Sequence, residues 1–274
     1  MSQPTHLVGV RFLNSRPLVA GLEAGIPAPF GYRYAAADPA ECAARLASGA
    51  VAGALVPVVA LAEAAGARAV PGLGVACRGA VYSVLLVSKV PLARIGRLAV
   101  HTASRTSEIL ARLLLSETEG IRPAGVRCSP PLEHMLAHAD AAVVIGDVAM
   151  HLRGRTGLVE VDLGQAWREW TGLPFVFARW AVTPGAPPGI ETLLEDSLAY
   201  AEQRWSELLP RWATAHGIGL PEVASYLGER LHFRLDEEDE RGSRAFLELA
   251  TARGLLSGPP QGPPGAVVTL QSEE

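Results

Sequence analysis

Short apolar runs alternate with helical segments along most of the chain, and this alternation limits the fold more than any other sequence feature. The runs are rich in β-branched residues, which is typical of buried strands. They span residues 6–13, 51–58, 81–87, 97–100, 141–145 and 175–182. Strands that alternate with helices favour an α/β protein whose sheets are mostly parallel and covered on both faces.

Several helix ends carry local signals. Residues 38–41, DPAE, place a capping aspartate, an N1 proline and an N3 glutamate in register, and Gly49 follows as a stop. Asp236 begins a later helical segment that Gly254 ends. Pro17 lies at a predicted first helical position after the polar turn 14–16.

The charge balance and hydropathy exclude several classes of protein. The 274 residues are 49% hydrophobic, which excludes general disorder. A net charge of -4 and a pI of about 6.0 leave no basic surface for a phosphate backbone, so nucleic acid is not a predicted partner. The longest apolar run, residues 51–62, contains Pro57 and is far shorter than the ~20 residues that span a bilayer, so no membrane segment is predicted.

Cysteine usage and the first residues favour a cytoplasmic protein. Cys42, Cys77 and Cys128 form no C-x-x-C pair and are odd in number, so neither a disulfide framework nor a zinc site is predicted. The opening segment, MSQPTHLVGVRFLNSRP, lacks a basic region followed by an apolar one, and no secretory signal is expected.

No cofactor or metal site is predicted. His134 and His138 stand four apart, but they lack the acidic partner of an H-E-x-x-H motif. Gly72 and Gly74 lack the third glycine of a dinucleotide fingerprint, and there is no Walker A loop.

Three polar segments follow strands, where ligands bind in open α/β sheets. They are NSRP at 14–17, TASRTS at 102–107 and GD at 146–147. The helix start after residue 104 has two interpretations. In one, its unpaired N–H groups, its hydroxyls and Arg105 bind a carboxylate or phosphate. In the other, Ser104 is a simple N-cap and Arg105 is solvated. Asp147 either transfers a proton or caps the next helix. Residues 14–17 are either a ligand contact or an ordinary turn.

Five longer stretches carry a family resemblance. They are VGVRFLNSRPL at 8–18, VYSVLLVSKVPL at 81–92, TASRTSEILARLLL at 102–115, AAVVIGDVAM at 141–150 and DLGQAWREWTGLPFVFARWAV at 162–182. In this order they resemble the chorismate dehydratases of the futalosine route to menaquinone, relatives of the type II periplasmic-binding-protein fold. The resemblance implies one lobe from residues 1–89 plus 175–256 and a second from 90–174. The Pro- and Gly-rich sequence GPPQGPPG separately predicts a loose tail at 257–274.

The resemblance also implies a ligand cleft between the lobes and a reaction. Chorismate, a small dicarboxylate, loses water to give 3-[(1-carboxyvinyl)oxy]benzoate without a cofactor or metal. Asn14 and Asp147 are the implied catalytic residues, and a homodimer is one option left open. The implied substrate contacts are Ser15, Arg16, Cys77, Ser104, Arg105, Thr106, Ser107 and Gly146.

Two mechanisms and two other functions stay open. Either the enolpyruvyl carboxylate of the substrate takes the proton while Asn14 fixes its pose, or Asp147 acts on the departing hydroxyl. Ala76 and Cys77 stand where relatives commonly have serines, which puts one hydroxyl contact in doubt. The alternatives are the sister 1,4-dihydroxy-6-naphthoate synthase, disfavoured because no histidine stands at 146, and a non-catalytic cytosolic module that binds a carboxylate.

Overall fold

Strands and helices alternate along the described part of the chain, residues 3–64, 66–101 and 105–256 of a computed structural model. The strands are β1 (Thr5–Val10), β2 (Tyr32–Ala37), β3 (Gly53–Pro57), β4 (Arg68–Cys77), β5 (Val84–Ser88), β6 (Arg97–Val100), β7 (Ala124–Arg127), β8 (Ala141–Ile145), β9 (Val159–Asp162), β10 (Phe175–Val182) and β11 (Leu231–Arg234). The α-helices are α1 (Arg16–Ala24), α2 (Pro39–Ala47), α3 (Val58–Glu63), α4 (Arg105–Thr118), α5 (Leu132–His138), α6 (Gly146–Leu152), α7 (Leu163–Thr171), α8 (Ile190–Gln203), α9 (Trp205–His216), α10 (Leu220–Ser225) and α11 (Glu237–Ala252).

These strands form two sheets. The first has the order β11-β4-β10-β3-β1-β2 and the second the order β7-β6-β8-β5-β9. Their apolar faces are covered by helices, and the largest fully buried side chains include Trp167 and Trp180. The predicted α/β fold with two sheets is confirmed.

The strand pairs are evenly mixed, whereas the sequence analysis expected mostly parallel ones. Four of the nine described pairs are parallel and five are antiparallel. Parallel pairs arise where a helix connects neighbours, as between β1 and β2. Strands β5 and β10 are antiparallel to both of their neighbours. Each is the first strand that the chain adds to its sheet after it changes sheets. Alternation of strands and helices along the sequence does not reveal such reversals.

The chain crosses between the sheets twice. The first sheet takes its strands from residues 5–77 and 175–234, and the second takes them from 84–162. Strand β5 therefore belongs to the second sheet, although the expected boundary at residue 89 assigns it to the first lobe. We propose lobe boundaries within 78–83 and near 172–174. The tail expected at 257–274 lies outside the described residues.

One carboxylate joins the first crossing segment to the start of α7. Asp162 accepts the N–H groups of Val81 at 3.0 Å and Tyr82 at 2.6 Å, in the outgoing segment. It also accepts those of Gly164 and Gln165, at 3.0 and 3.1 Å, and so caps α7. Because residues 81 and 82 bond to Asp162, strand β5 begins at Val84, three residues after the predicted start.

The helix-end predictions have different outcomes. Asp236 forms the capping box of α11 with the side chain and backbone of Asp239. The capping box predicted for α2 is absent, since Asp38 makes no side-chain cap and instead pairs with Arg11 at 3.2 Å. None of the described helices is both long and apolar enough to cross a membrane.

Candidate active site

A cavity that opens to solvent lies where strand ends of both sheets meet. Five of the ten predicted site residues line it, namely Asn14, Ser15, Thr106, Ser107 and Gly146. The other wall residues are Val10, Phe12, Pro39, Leu55, Pro57, Val75, Val84, Ile145, Phe177 and Ala178. Polar groups from three separate chain segments therefore face one apolar-walled space, a usual arrangement for a small-molecule site.

Asn14 occupies the centre of a 3₁₀ turn, residues Leu13–Ser15, between β1 and α1. The buried Ser15 hydroxyl holds this turn, lying within hydrogen-bond range of the Val10 carbonyl and 2.8 Å from the Phe12 carbonyl. Among the described residues the Asn14 amide has no hydrogen-bond partner, so both its donor and its acceptor are available to a ligand. Asn14 is also the only asparagine in the 274-residue chain.

The first turn of α4 forms the opposite polar wall. The first turn of a helix has N–H groups without partners inside the helix and a partial positive charge, and both favour an anion. The Thr106 hydroxyl accepts the Val59 N–H at 3.5 Å, while the Ser107 hydroxyl has no partner within the described ranges. Glu108 follows Ser107 in this turn, and its negative charge would repel an anion. Arg112 at 3.0 Å and Arg127 at 2.7 Å pair with its carboxylate and so reduce this repulsion.

Gly146 forms the cavity wall on the side of the second sheet. Its φ of 64° lies in the left-handed region, where glycine is favoured. A Cβ at this position would lie 3.3 Å from the Phe12 ring, and the Gly146 N–H donates to the Ser83 carbonyl at 2.8 Å. The backbone and the missing side chain thus keep Phe12 close to the strand end.

Asp147 does not line this cavity but borders a neighbouring pocket that shares Phe12 and Ile145 with it. Its Oδ1 accepts the Leu13 N–H at 3.2 Å, and its Oδ2 lies 2.6 Å from His216 Nδ1. It makes no cap for its own helix, α6. Both carboxylate oxygens are therefore engaged by the first lobe, an arrangement that neither sequence alternative for Asp147 anticipated.

Three predicted substrate contacts lie away from the cavity wall, and one is outside the described residues. Arg16 pairs with Glu23 at 2.7 Å. Arg105 pairs with Glu63 at 2.5 Å, so carboxylates of the protein already neutralise both guanidinium groups. Cys77 is fully buried in β4. Ser104 belongs to the part of the chain that is not described.

The sequence analysis missed the apolar walls and His216. Phe12, Val84 and Phe177 belong to runs assigned only to strands, and nothing in a single sequence separates a cavity wall from ordinary core. His216 stands at the C-terminal end of α9 beside Gly217, a pattern typical of a plain helix end. Its 69-residue separation from Asp147 gives no local signal.

The described residues contain no cluster suited to a metal. No group of three or more His, Cys, Asp or Glu side chains in those ranges could hold an ion. His134 and His138, which the sequence spacing placed four residues apart, have ring centroids 5.0 Å apart in an edge-to-face contact.

We expect a thiol reagent to label Cys128 alone in the folded protein. Burial raises the pKa of Cys42 and of Cys77 to about 12, so only about one thiol in ten thousand is a thiolate at about pH 8. Their reactivity should rise only as the pH approaches 12 or the protein unfolds. Alkylation at about pH 8 followed by peptide mass mapping tests this, with urea-unfolded protein as the fully labelled control. Modification of native Cys77 would contradict it.

Comparisons with known proteins agree with this architecture. A family model described as menaquinone biosynthesis matches residues 6–252. A chorismate dehydratase from Thermus thermophilus is 34% identical over 248 residues, which cover 84% of this chain and 89% of that protein. A crystal structure from Archaeoglobus fulgidus has a TM-score of 0.77 at 16% identity, covering 92% of this chain and 98% of that one. The periplasmic aliphatic sulphonate binding protein SsuA of Escherichia coli has a TM-score of 0.62 at 14% identity, covering 100% and 98%. These two likenesses concern the fold alone.

Proposed function

Because the chain belongs to the menaquinone-biosynthesis family and is similar to a chorismate dehydratase along most of its length, we propose that it is a chorismate dehydratase, a carbon–oxygen lyase. It takes chorismate and releases 3-[(1-carboxyvinyl)oxy]benzoate and water. The three cysteines are free thiols, which is consistent with a reducing cytosol as the place of the reaction.

The observation that carries the proposal is the convergence of polar groups on one apolar cavity. Chorismate has one carboxylate on its ring and a second on its enolpyruvyl arm, and the cavity offers an anion-favouring helix start beside Ser107 and a free amide at Asn14. We assign one carboxylate to the first turn of α4 and the enolpyruvyl arm to Asn14. The ring lies against apolar walls such as Phe12 and Phe177.

The cavity wall also supports one of the two mechanisms. Its described lining contains no carboxylate, imidazole or amine, so none of these described side chains is placed to act as a base from the cavity wall. Asp147, the other candidate, is bonded to Leu13 and His216. We therefore favour the enolpyruvyl carboxylate of the substrate as the base, with Asn14 fixing its pose.

The proposed step is balanced within the substrate. The enolpyruvyl carboxylate takes a ring proton, the electron pair of that C–H bond enters the ring, and the C–O bond to the hydroxyl breaks. Hydroxide and the transferred proton leave as water, and aromatisation of the ring supplies the driving force. The protein contributes orientation, which supplies much of such a rate enhancement.

Incubating the purified protein with chorismate and following the mass of the organic product tests the function. Loss of one water with an aromatic product supports the dehydratase. Unchanged chorismate that nonetheless binds tightly supports the non-catalytic binding module instead.

We expect Ser107→Ala to raise KM for chorismate about 10- to 100-fold with little change in kcat, because a hydrogen bond to a charged group contributes about 1.5–3 kcal/mol. This bond is made equally in the ground state and the transition state, so it affects binding rather than turnover. Steady-state kinetics provide the measurement. Ser116→Ala is the matched control, since Ser116 lies on the same helix but not on the cavity wall. An unchanged KM in Ser107→Ala would remove the helix start from the binding site.

A further inference from the structure

A chain of hydrogen bonds crosses the gap between the lobes and ends at the turn that carries Asn14. We propose that His216 is a positioning residue, which acts through Asp147 to hold Asn14 in place for the reaction. The inference rests on the proposed dehydratase function and adds to it a residue outside the cavity.

Asp147 is the link in this chain. It belongs to α6, which follows the second sheet, yet both its oxygens contact the first lobe. Oδ1 accepts the N–H of Leu13, the residue that precedes Asn14, at 3.2 Å. Oδ2 lies 2.6 Å from Nδ1 of His216, the last residue of α9. The carboxylate therefore ties the Asn14 turn to α9 and to α6 at once.

The direction of each bond follows from Arg16. Its Nε lies 3.1 Å from His216 Nε2, and an arginine nitrogen only donates. His216 Nε2 must then be the acceptor, which leaves the imidazole proton on Nδ1, facing Asp147. A guanidinium thus sets the tautomer, the tautomer orients the carboxylate, and the carboxylate orients the Leu13 N–H.

The burial of His216 and Asp147 indicates that the histidine orients the carboxylate. The His216 side chain is 8% exposed, whereas that of Asp147 is 27% exposed. Without His216, the carboxylate is free to rotate toward water and away from Leu13. The 3₁₀ turn then keeps the bonds of the Ser15 hydroxyl but loses its hydrogen bond to Asp147 of the second lobe.

Amide hydrogen exchange at Leu13 tests the structural half of the proposal without requiring turnover. We expect His216→Ala to speed exchange of this amide by about tenfold or more, because its acceptor is released. His216→Asn should restore protection, since the asparagine N–H takes the place of the Nδ1–H donor. Unchanged exchange in a folded His216→Ala variant would overturn the proposal.

A double-mutant cycle tests the connection to Asn14. In the wild-type background His216→Ala should lower kcat about 10- to 100-fold with a smaller change in KM, because misplacement of a reacting group by about 1 Å costs this much. In an Asn14→Ala background it should lower kcat little further. Equal losses in both backgrounds would overturn the positioning role, since they would show that His216 acts independently of Asn14.

His151 provides a matched control for general loosening of the lobes. It also links α6 to the end of α9. Its Nδ1 lies 2.7 Å from the backbone carbonyl of Asp147 and its Nε2 lies 3.2 Å from the Gly217 carbonyl, and neither nitrogen bonds to the Asp147 carboxylate. His151→Gln should leave Leu13 exchange and kcat near their wild-type values, and losses equal to those of His216→Ala would overturn the specific role. If the wild type does not convert chorismate, the proposed function fails and the role in turnover fails with it. The exchange result alone then decides whether the His216 link to Leu13 exists.

Discussion

Replacing Asn14 with alanine is expected to lower kcat/KM for chorismate by about 10²–10⁴-fold, the usual contribution of a group that assists proton transfer. Asn14 lines the cavity, and its amide bonds to none of the described residues. Its contribution should therefore lie in orienting the substrate carboxylate that takes the ring proton. Steady-state kinetics with chorismate measure the loss.

The same variant should fold normally. Substitutions that break no buried contact usually change stability by less than about 0.5 kcal/mol, so the thermal unfolding midpoint should match that of the wild type. Asn14→Asp is an informative partner because it keeps the shape but adds a negative charge beside a dianion. We expect it to raise KM as well as lower kcat. Wild-type turnover in Asn14→Ala would remove Asn14 from the mechanism.

Replacing Trp167 with alanine is expected to lower the free energy of unfolding by about 3–5 kcal/mol, the usual cost of deleting a buried aromatic side chain. Trp167 is fully buried. Its ring meets Trp170 and Phe175 at 5.5 Å and Phe246 at 5.9 Å, each edge to face. Its Nε1 donates to the Pro174 carbonyl at 3.0 Å, so the loss also affects the second crossing segment.

Urea unfolding followed by far-ultraviolet circular dichroism measures this loss independently of tryptophan fluorescence. For a chain of this size the thermal midpoint should fall by roughly 6–20 °C. Trp205→Ala is the control, since Trp205 is only partly buried and meets a single aromatic ring, Trp212, at 5.9 Å. A loss below about 1 kcal/mol in Trp167→Ala would contradict the role of this ring as core.

Much of the secondary structure was predictable because its signals are local. Strands β6, β8 and β10 begin and end at the predicted residues, and α11 begins at Glu237, one residue after the predicted start at Asp236. The predictions failed where a distant group changed a local preference. Strand β1 ends at Val10 rather than residue 13, since the chain turns at Leu13 and bonds to Asp147.

The candidate site was predictable only in part. Asn14, Ser107 and Gly146 each follow a strand, so the sequence marks them as residues at a sheet edge, and the family resemblance expects them in one cleft. Arg16 and Arg105 looked equally suited to a carboxylate. Their pairing with Glu23 and Glu63 depends on neighbours that a motif does not show.

The sequence by itself determined which segments become strands and helices, because periodicity, caps and turn residues act within a few positions. Only the tertiary structure decided the strand directions, the apolar walls around Asn14 and the bonding of Asp147 to His216. Those contacts join residues far apart in the chain. Their free energy depends on how two lobes are packed, and no local pattern encodes it.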